Sequence, residues 1–250
     1  MKRALFVVLA LLVAAWPAAA KSSPPPDPDK PGLSLSERLD ALLERIKIEQ
    51  KNLHTLAADF IQDKASEFLT TPETSRGQVW FQSPDKVRWE YVSPKPVTLV
   101  IRGDEMLTWY RDLGRAEKVR VGRLSSQVFQ YLNASGSLES LLRYFRANVT
   151  FPPDEQPYKI ELIPRFARIA RRLASMTLWV DRRLFLPVRV RYVEPNGDVT
   201  EYRLENLRTN LEIPEDRFEL QLPPGVEVRE VDLGGHGRGA ASDSPPGPEH

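Results

Sequence analysis

Cysteine is absent from all 250 residues and histidine occurs three times. The first absence excludes disulfides, thiolate metal ligands, thiol nucleophiles and a lipid carried on an N-terminal Cys. The histidines are scattered: His54 lies between helix-like and strand-like segments, and His236 and His250 lie in a Gly/Pro-rich tail. Three such residues make no zinc site, and no metal or cofactor is expected. A net excess of charge is also missing. The chain carries 35 basic and 34 acidic side chains, and without Lys2 and Arg3 the balance is 33 against 34. A nucleic-acid binder, whose affinity rests on a basic surface neutralising phosphates, is therefore not expected. No Gly-rich phosphate loop or nucleophile elbow occurs, and Asp181 and Glu201 have no spacing that marks them as paired catalytic carboxylates. The chain does not read as an enzyme.

Long apolar runs are equally scarce, with one short exception at the start. Lys2 and Arg3 precede an apolar run from Ala4 to Ala15, followed by Trp16-Pro17 and Ala18-Ala19-Ala20. A basic start, a short apolar core and a small-residue exit read as a secretory signal peptide over residues 1–20, with cleavage after Ala20. The alternative is an uncleaved anchor, for which the run is short. Residues 21–32, rich in Pro, Ser and Asp, read as a flexible leader. Residues 232–250, mostly Gly, Pro, Ser and Ala, read as a disordered tail. A single domain is expected over 33–231, long enough for a core without disulfides.

That domain opens on Ser34, three residues before Glu37, a capping-box spacing. Leu35, Leu39, Leu42, Leu43 and Ile46 then recur at helical intervals. From Leu56 the period drops to two: Leu56, Ala58 and Phe60; Val79 and Phe81; Val87, Trp89 and Tyr91. Further strand-like runs are Val97–Ile101, Leu107–Tyr110, Lys118–Val121, Tyr158–Ile163, Thr177–Val180, Val188–Val193, Val199–Leu204 and Phe218–Leu222. Alternation of this kind gives a sheet with one wetted face and one buried face, typical of antiparallel pairing. Ser83-Pro84-Asp85, Gly103-Asp104 and Asn196-Gly197-Asp198 supply turn chemistry between the runs. Between about 125 and 147 the period reverts, and Leu138, Leu141, Leu142 and Phe145 fall on one face of an expected helix.

Neither the one-sided sheet nor the amphipathic helices can leave its apolar face bare, so each is expected to cover the other. The predicted fold is mostly β with an α lid: a strongly curved, unclosed antiparallel half-barrel of about eleven strands, two or three helices across it, and a hydrophobic cavity between. Two stacked sheets are the competing arrangement, which leaves the helices without a role. The aromatic content, five Trp, seven Tyr and ten Phe, suits either an ordinary core or such a cavity. Phe60, Trp80, Trp89, Tyr91, Trp109, Leu138 and Leu142 are the candidates for its lining. Strand parity puts Val87, Trp89 and Tyr91 on one face and Arg88 and Glu90 on the other. Arg88 is then either a solvated strand arginine pairing with Glu90, or a long donor aimed at loop carbonyls or carboxylates.

The order of Phe60-Ile61-Gln62, Gly77-Gln78-Val79-Trp80-Phe81, Pro84, Val87-Arg88-Trp89-Glu90-Tyr91, Pro94, Gly103 and Leu107-Thr108-Trp109-Tyr110 resembles the periplasmic lipoprotein carriers of the LolA family. Leu162, Pro164, Asp181, Asn196-Gly197, Asn206, Phe218 and Pro223-Pro224-Gly225-Val226 continue the resemblance, which covers about residues 37–231. It implies an eleven-stranded open barrel with a helical lid, a cavity for lipoprotein acyl chains, and Arg88 as the residue that locks the empty lid. It implies acylated lipoproteins as cargo, an inner-membrane lipoprotein-releasing ABC transporter as donor and an outer-membrane acceptor. It also implies a periplasmic setting, no covalent chemistry and a monomer. The half-barrel also occurs in relatives that sense lipid or lipoprotein without carrying it, the alternative reading. One departure from the family pattern is the basic stretch Arg165–Arg172. Arg165, Arg168 and Arg172 recur at helical spacing, as do Phe166, Ile169 and Leu173. This pattern suits a partner or anionic membrane surface, or a lid helix packed on the sheet with a solvated face.

Overall fold

The computed structural model describes residues 24–67, 69–120, 142–153 and 155–231. Helix α1 spans Leu35–Asn52 and begins at the expected capping box. The Ser34 hydroxyl accepts from the Glu37 N–H at 3.3 Å, and the Glu37 carboxylate accepts from the Ser34 N–H at 2.8 Å. These bonds satisfy N–H groups that a helix start otherwise leaves without partners. Leu42, Ile46 and Gln50, four apart, form the buried stripe of α1, while Leu35 in its first turn overhangs into solvent.

Among the described residues twelve strands follow: β1 Thr55–Ala65, β2 Glu73–Gln82, β3 Lys86–Ser93, β4 Val97–Arg102, β5 Glu105–Tyr110, β6 Arg115–Arg120, β7 Phe145–Thr150, β8 Tyr158–Pro164, β9 Ser175–Val180, β10 Pro187–Val193, β11 Val199–Thr209 and β12 Glu227–Val231. They form one sheet in the order β12-β6-β5-β4-β3-β2-β1-β11-β10-β9-β8-β7. Its end strands β12 and β7 do not pair, so the sheet is an unclosed half-barrel. Pairing is antiparallel except between β12 and β6. Most neighbours are joined by short turns, such as the one at Asn196-Gly197, where Gly197 has φ 89°. The ladder between β1 and β11 instead joins distant parts of the chain and places the N-terminal strand mid-sheet.

The alternation read from the sequence carries across the ladders, with register shifts at Ala57/Asp59, Arg76/Gly77 and Pro187/Arg189. Phe60 pairs with Leu204, Tyr202 with Val190, Val190 with Leu178, Leu178 with Ile160 and Ile160 with Val149. All lie on the face that α1 covers, here called the inner face. It holds two clusters. At the β7–β9 end, Leu42 and Ile46 of α1 pack on Phe145, Tyr158, Ile160, Leu162, Leu178 and Val180. At the β1–β6 end, Phe60 packs with Val79, Phe81, Val87, Ile101 and Val119, and Leu53, just past α1, joins them.

Four expectations change. The sheet has a twelfth strand, β12, whose exposed residues carry no burial pattern and whose partner β6 is remote in sequence. Phe145, expected on a helix face, opens β7: the described residues 142–144 before it are helical, and Phe145, Ala147 and Val149 then alternate inward. The run Phe218–Leu222, expected as a strand, is a short 3-10 helix, Glu215–Phe218, followed by an irregular strap. Pro214, Pro223 and Pro224 flank it, and prolines lack the N–H that a ladder needs. Finally, the leader is fastened near its end. Pro28 is fully buried, and Asp29 accepts hydrogen bonds from the Tyr158 hydroxyl, Arg38 and Arg182. The expected helical cover over 125–147 lies mostly outside the described residues, Leu138 included.

Candidate functional site

Beside the β1–β6 cluster the inner face is only partly buried. Its floor is Phe60, 1% exposed, set at the sheet centre on β1. The Phe60 ring lies over Gly77, its cross-strand partner on β2. A Cβ at Gly77 would stand 2.7 Å from that ring and 2.0 Å from the Glu90 carbonyl oxygen, so only glycine lets strand and ring approach this closely. Trp89 and Tyr91 of β3 rest on the ring at centroid distances of 4.9 Å each. Tyr202 of β11 meets Trp89 edge-on at 5.6 Å and leads to Tyr192 of β10 at 6.4 Å. Trp89, Tyr91, Tyr192 and Tyr202 are half-buried, as are Leu99 and Met106 on β4 and β5. They form a shallow aromatic and aliphatic wall rather than a sealed core.

Polar groups are few here and neutral. The Gln62 side-chain amide donates to the Tyr202 hydroxyl at 2.6 Å. Burial pushes the phenols of Tyr91 and Tyr202 upward, and for Tyr202 the neighbouring Tyr91 and Tyr192 push the same way. Both stay protonated at neutral pH and offer hydrogen bonds without charge. The surface is suited to holding apolar chains with an occasional carbonyl. Among the described residues there is no group of three or more His, Cys, Asp or Glu placed to hold a metal ion.

The other named residues separate by strand parity. Trp89 pairs with Val79, whereas Trp80 pairs with Arg88. Trp109 pairs with Thr98, one residue out of phase with Leu99. Trp80 and Trp109 therefore point to the outer face, where Arg217 stacks on the first at 4.8 Å and Arg111 on the second at 5.1 Å. The expectation that they line the same cavity as Trp89 is corrected by the two-residue period of the strands. Leu142 is half-buried in the helical turn before β7.

Arg88 shares the outer face with Trp80. Its Nε donates to Glu90 at 3.0 Å, and its Nη1 reaches the carbonyls of Glu219 at 3.2 Å and Arg217 at 3.4 Å. The backbone it holds belongs to the 215–221 strap, which lies over β3 and β4 and seals Phe218 completely. Arg111 grips the other Glu90 oxygen at 2.7 Å. Burial raises the Glu90 carboxyl, yet the bonds from Arg88 and Arg111 outweigh it and leave the group below its ordinary value. Arg88 was expected to lock a lid over the cavity, but the carbonyls it reaches stand on the opposite side of the sheet from Phe60 and Tyr91.

In the basic stretch, helix α2 spans Ala167–Ala170. Ile169 and Leu173 pack on the β7–β9 cluster, while Arg165, Arg168 and Arg172 are exposed. Tyr192, Tyr202 and Gln62 are the site residues that the sequence reading missed. The alternation of Tyr192 with Arg191 and of Tyr202 with Arg203 was a usable signal, but nothing local showed that Tyr202 meets Trp89 and Tyr192 meets Tyr202.

The family model for the outer membrane lipoprotein carrier protein LolA matches residues 51–221. The chain belongs to the LolA family. A relative from Alkalilimnicola ehrlichii, described as an outer-membrane lipoprotein carrier protein, is 30% identical over 71% of this chain and 78% of its own length. Another so described, from Methylococcus capsulatus, is 28% identical over 74% of this chain and 86% of its own. The fold is shared with an uncharacterised conserved protein from Thermus thermophilus, at 11% identity and a TM-score of 0.51, over 77% of this chain and 99% of that one. As a LolA-family member the chain is a periplasmic protein of the lipoprotein-carrier class, and a carrier needs no bond-making chemistry.

Proposed function

We propose that the inner face around Phe60, Trp89, Tyr91 and Tyr202 takes up the acyl chains of lipoproteins leaving the inner membrane and yields them to an outer-membrane acceptor. An ATP-driven exporter would supply the cargo. The observation that carries this reading is the partial exposure of this apolar face, whose large side chains pack against the β1–β6 cluster and stay partly in contact with water. A lipid chain costs roughly 0.8 kcal/mol per methylene to hold in water. An apolar wall removes most of that cost, and the partly wetted aromatics gain burial at the same time. The neutral Tyr91 and Tyr202 hydroxyls suit the ester and amide carbonyls next to the chains, because they impose no buried charge.

Titration with a synthetic diacylated or triacylated peptide tests the reading through tryptophan emission and displacement of a hydrophobic dye. The expected result is dye displacement with an emission change that survives Trp80→Phe and is lost in Trp89→Phe. Loss in Trp80→Phe alone would put the ligand on the outer face and overturn the assignment. No displacement by any acylated peptide would overturn the acyl-binding role itself.

A further inference from the structure

A second surface lies at the β7 corner, away from the aromatic wall. Tyr144, just before β7, and Phe166, just before α2, meet edge-to-face at 6.2 Å. Both are exposed, at 44% and 51%. Arg143, Arg146, Arg165, Arg168, Arg171 and Arg172 lie close to them along the chain, and all six are exposed. None of the six forms an ion pair among the described residues, although most of the fold's other arginines do. Among the described residues, Arg165 alone of the six has a side-chain hydrogen bond, from Nε to the Phe145 carbonyl at 2.9 Å. A cavity of about 550 Å³ opens beside α2, lined by Arg168, Ile169, Arg171, Arg172 and Leu173.

Six like charges with no ion-pair partner among the described residues repel one another, and the two exposed rings leave apolar area in water, so folding alone gives no reason to gather them. Together they have the chemistry of an anionic interface: guanidinium groups for phosphodiesters, and aromatic rings for the boundary between headgroups and acyl chains. We infer that this corner docks the protein on an anionic phospholipid surface, with Tyr144 and Phe166 entering the headgroup layer and the arginines bridging lipid phosphates. A bilayer fits better than an acidic protein segment. The rings are exposed and do not line the cavity, which combines arginines with Ile169 and Leu173. The choice of a membrane also agrees with the proposed carrier role, whose cargo starts and ends in bilayers, and rests on it to that extent.

The test is flotation with vesicles of phosphatidylcholine alone and of phosphatidylcholine with 30% phosphatidylglycerol. The chain used starts at Lys21, so that the apolar run 4–15 contributes nothing. Binding is expected to the anionic vesicles only, and to weaken with added salt as exposed charges are screened. Arg168→Glu with Arg172→Glu should lower partitioning at least about tenfold, and Tyr144→Ser with Phe166→Ser should also lower it. All four positions are exposed, so thermal unfolding should stay near wild type. Acylated-peptide uptake at the aromatic wall should be unchanged in both variants, which separates failure of this docking surface from failure of the carrier reading. Absence of vesicle binding, equal binding to neutral vesicles, or unchanged binding by both variants would overturn the inference. So would binding to poly-glutamate with none to vesicles, which would assign the corner to an acidic protein partner.

Discussion

Arg88 and Trp89 are neighbours in one strand with unrelated tasks. Trp89 stands on the Phe60 ring inside, while Arg88 holds the 215–221 strap outside. The pleat alone separates them. Between strands, the tightest demand falls on Gly77, where the Glu90 carbonyl and the Phe60 ring occupy the space of a Cβ. Gly77→Ala must push the carbonyl of a paired strand, not the tip of a flexible side chain. The expected cost is about 1–3 kcal/mol or more, visible as a lowered urea midpoint. Because Phe60 is the floor of the aromatic wall, the variant should also weaken acylated-peptide uptake beyond what unfolding explains. Wild-type stability would mean that the β2–β3 approach is looser than described.

Among the elements, the strap shows what replaces a regular strand when the chain cannot join a ladder. Pro214 and Pro223-Pro224 exclude ladder pairing, yet Phe218 is fully buried on the outer face. Side chains hold the segment in place: Arg88 on two carbonyls, Arg217 on Trp80, and Lys86 on Glu215. Arg88→Leu removes a charged donor, for which about 1.5–3 kcal/mol is typical, and leaves Glu90 to Arg111 alone. The strap should then open more often, with faster limited proteolysis between 211 and 222 and cleavage elsewhere little changed. Acylated-peptide uptake should persist, since the inner face is untouched. Loss of uptake with an intact strap would instead support a lid role for this residue.

At the scale of the whole molecule, acid sensitivity follows from carboxylates held by arginine pairs. Burial raises Glu90 and Glu201, but Arg88 with Arg111, and Arg189 with Arg203, outweigh it and hold both below the ordinary value of 4.5. Asp63 is lowered as well, chiefly by the Thr74 hydroxyl, which outweighs the upward push of burial, with Arg203 and Arg76 adding to the lowering. A carboxyl depressed by folding contributes its stabilisation fully above its unfolded value and loses it as pH falls through the folded one. The urea midpoint should therefore be nearly flat from pH 7 to about 5 and then decline toward pH 3. Glu90→Gln with Glu201→Gln should start lower at pH 7 and decline less steeply. An unchanged slope would show that the acid response lies in other groups.

Much of this architecture was legible in the chain. Ser34 and Glu37 announce α1 because a capping box is closed within four residues. Period two announces the inner and outer faces of β1 to β5 because the pleat is strictly local. The signal-like start, the missing cysteines and the ordered motifs from Phe60 to Val226 pointed to a lipoprotein carrier. What remained hidden depends on partners far along the chain. β12 pairs with β6 across more than a hundred residues, Asp29 reaches Arg182, and Tyr202 reaches Trp89. Phe145 carried helical and strand spacing at once, and its place beside Pro164 of β8 decided between them. The side of the sheet on which Arg88 works was open for the same reason. Parity states that two residues oppose each other, but only the packing of α1 on one face and the strap on the other tells which face is which.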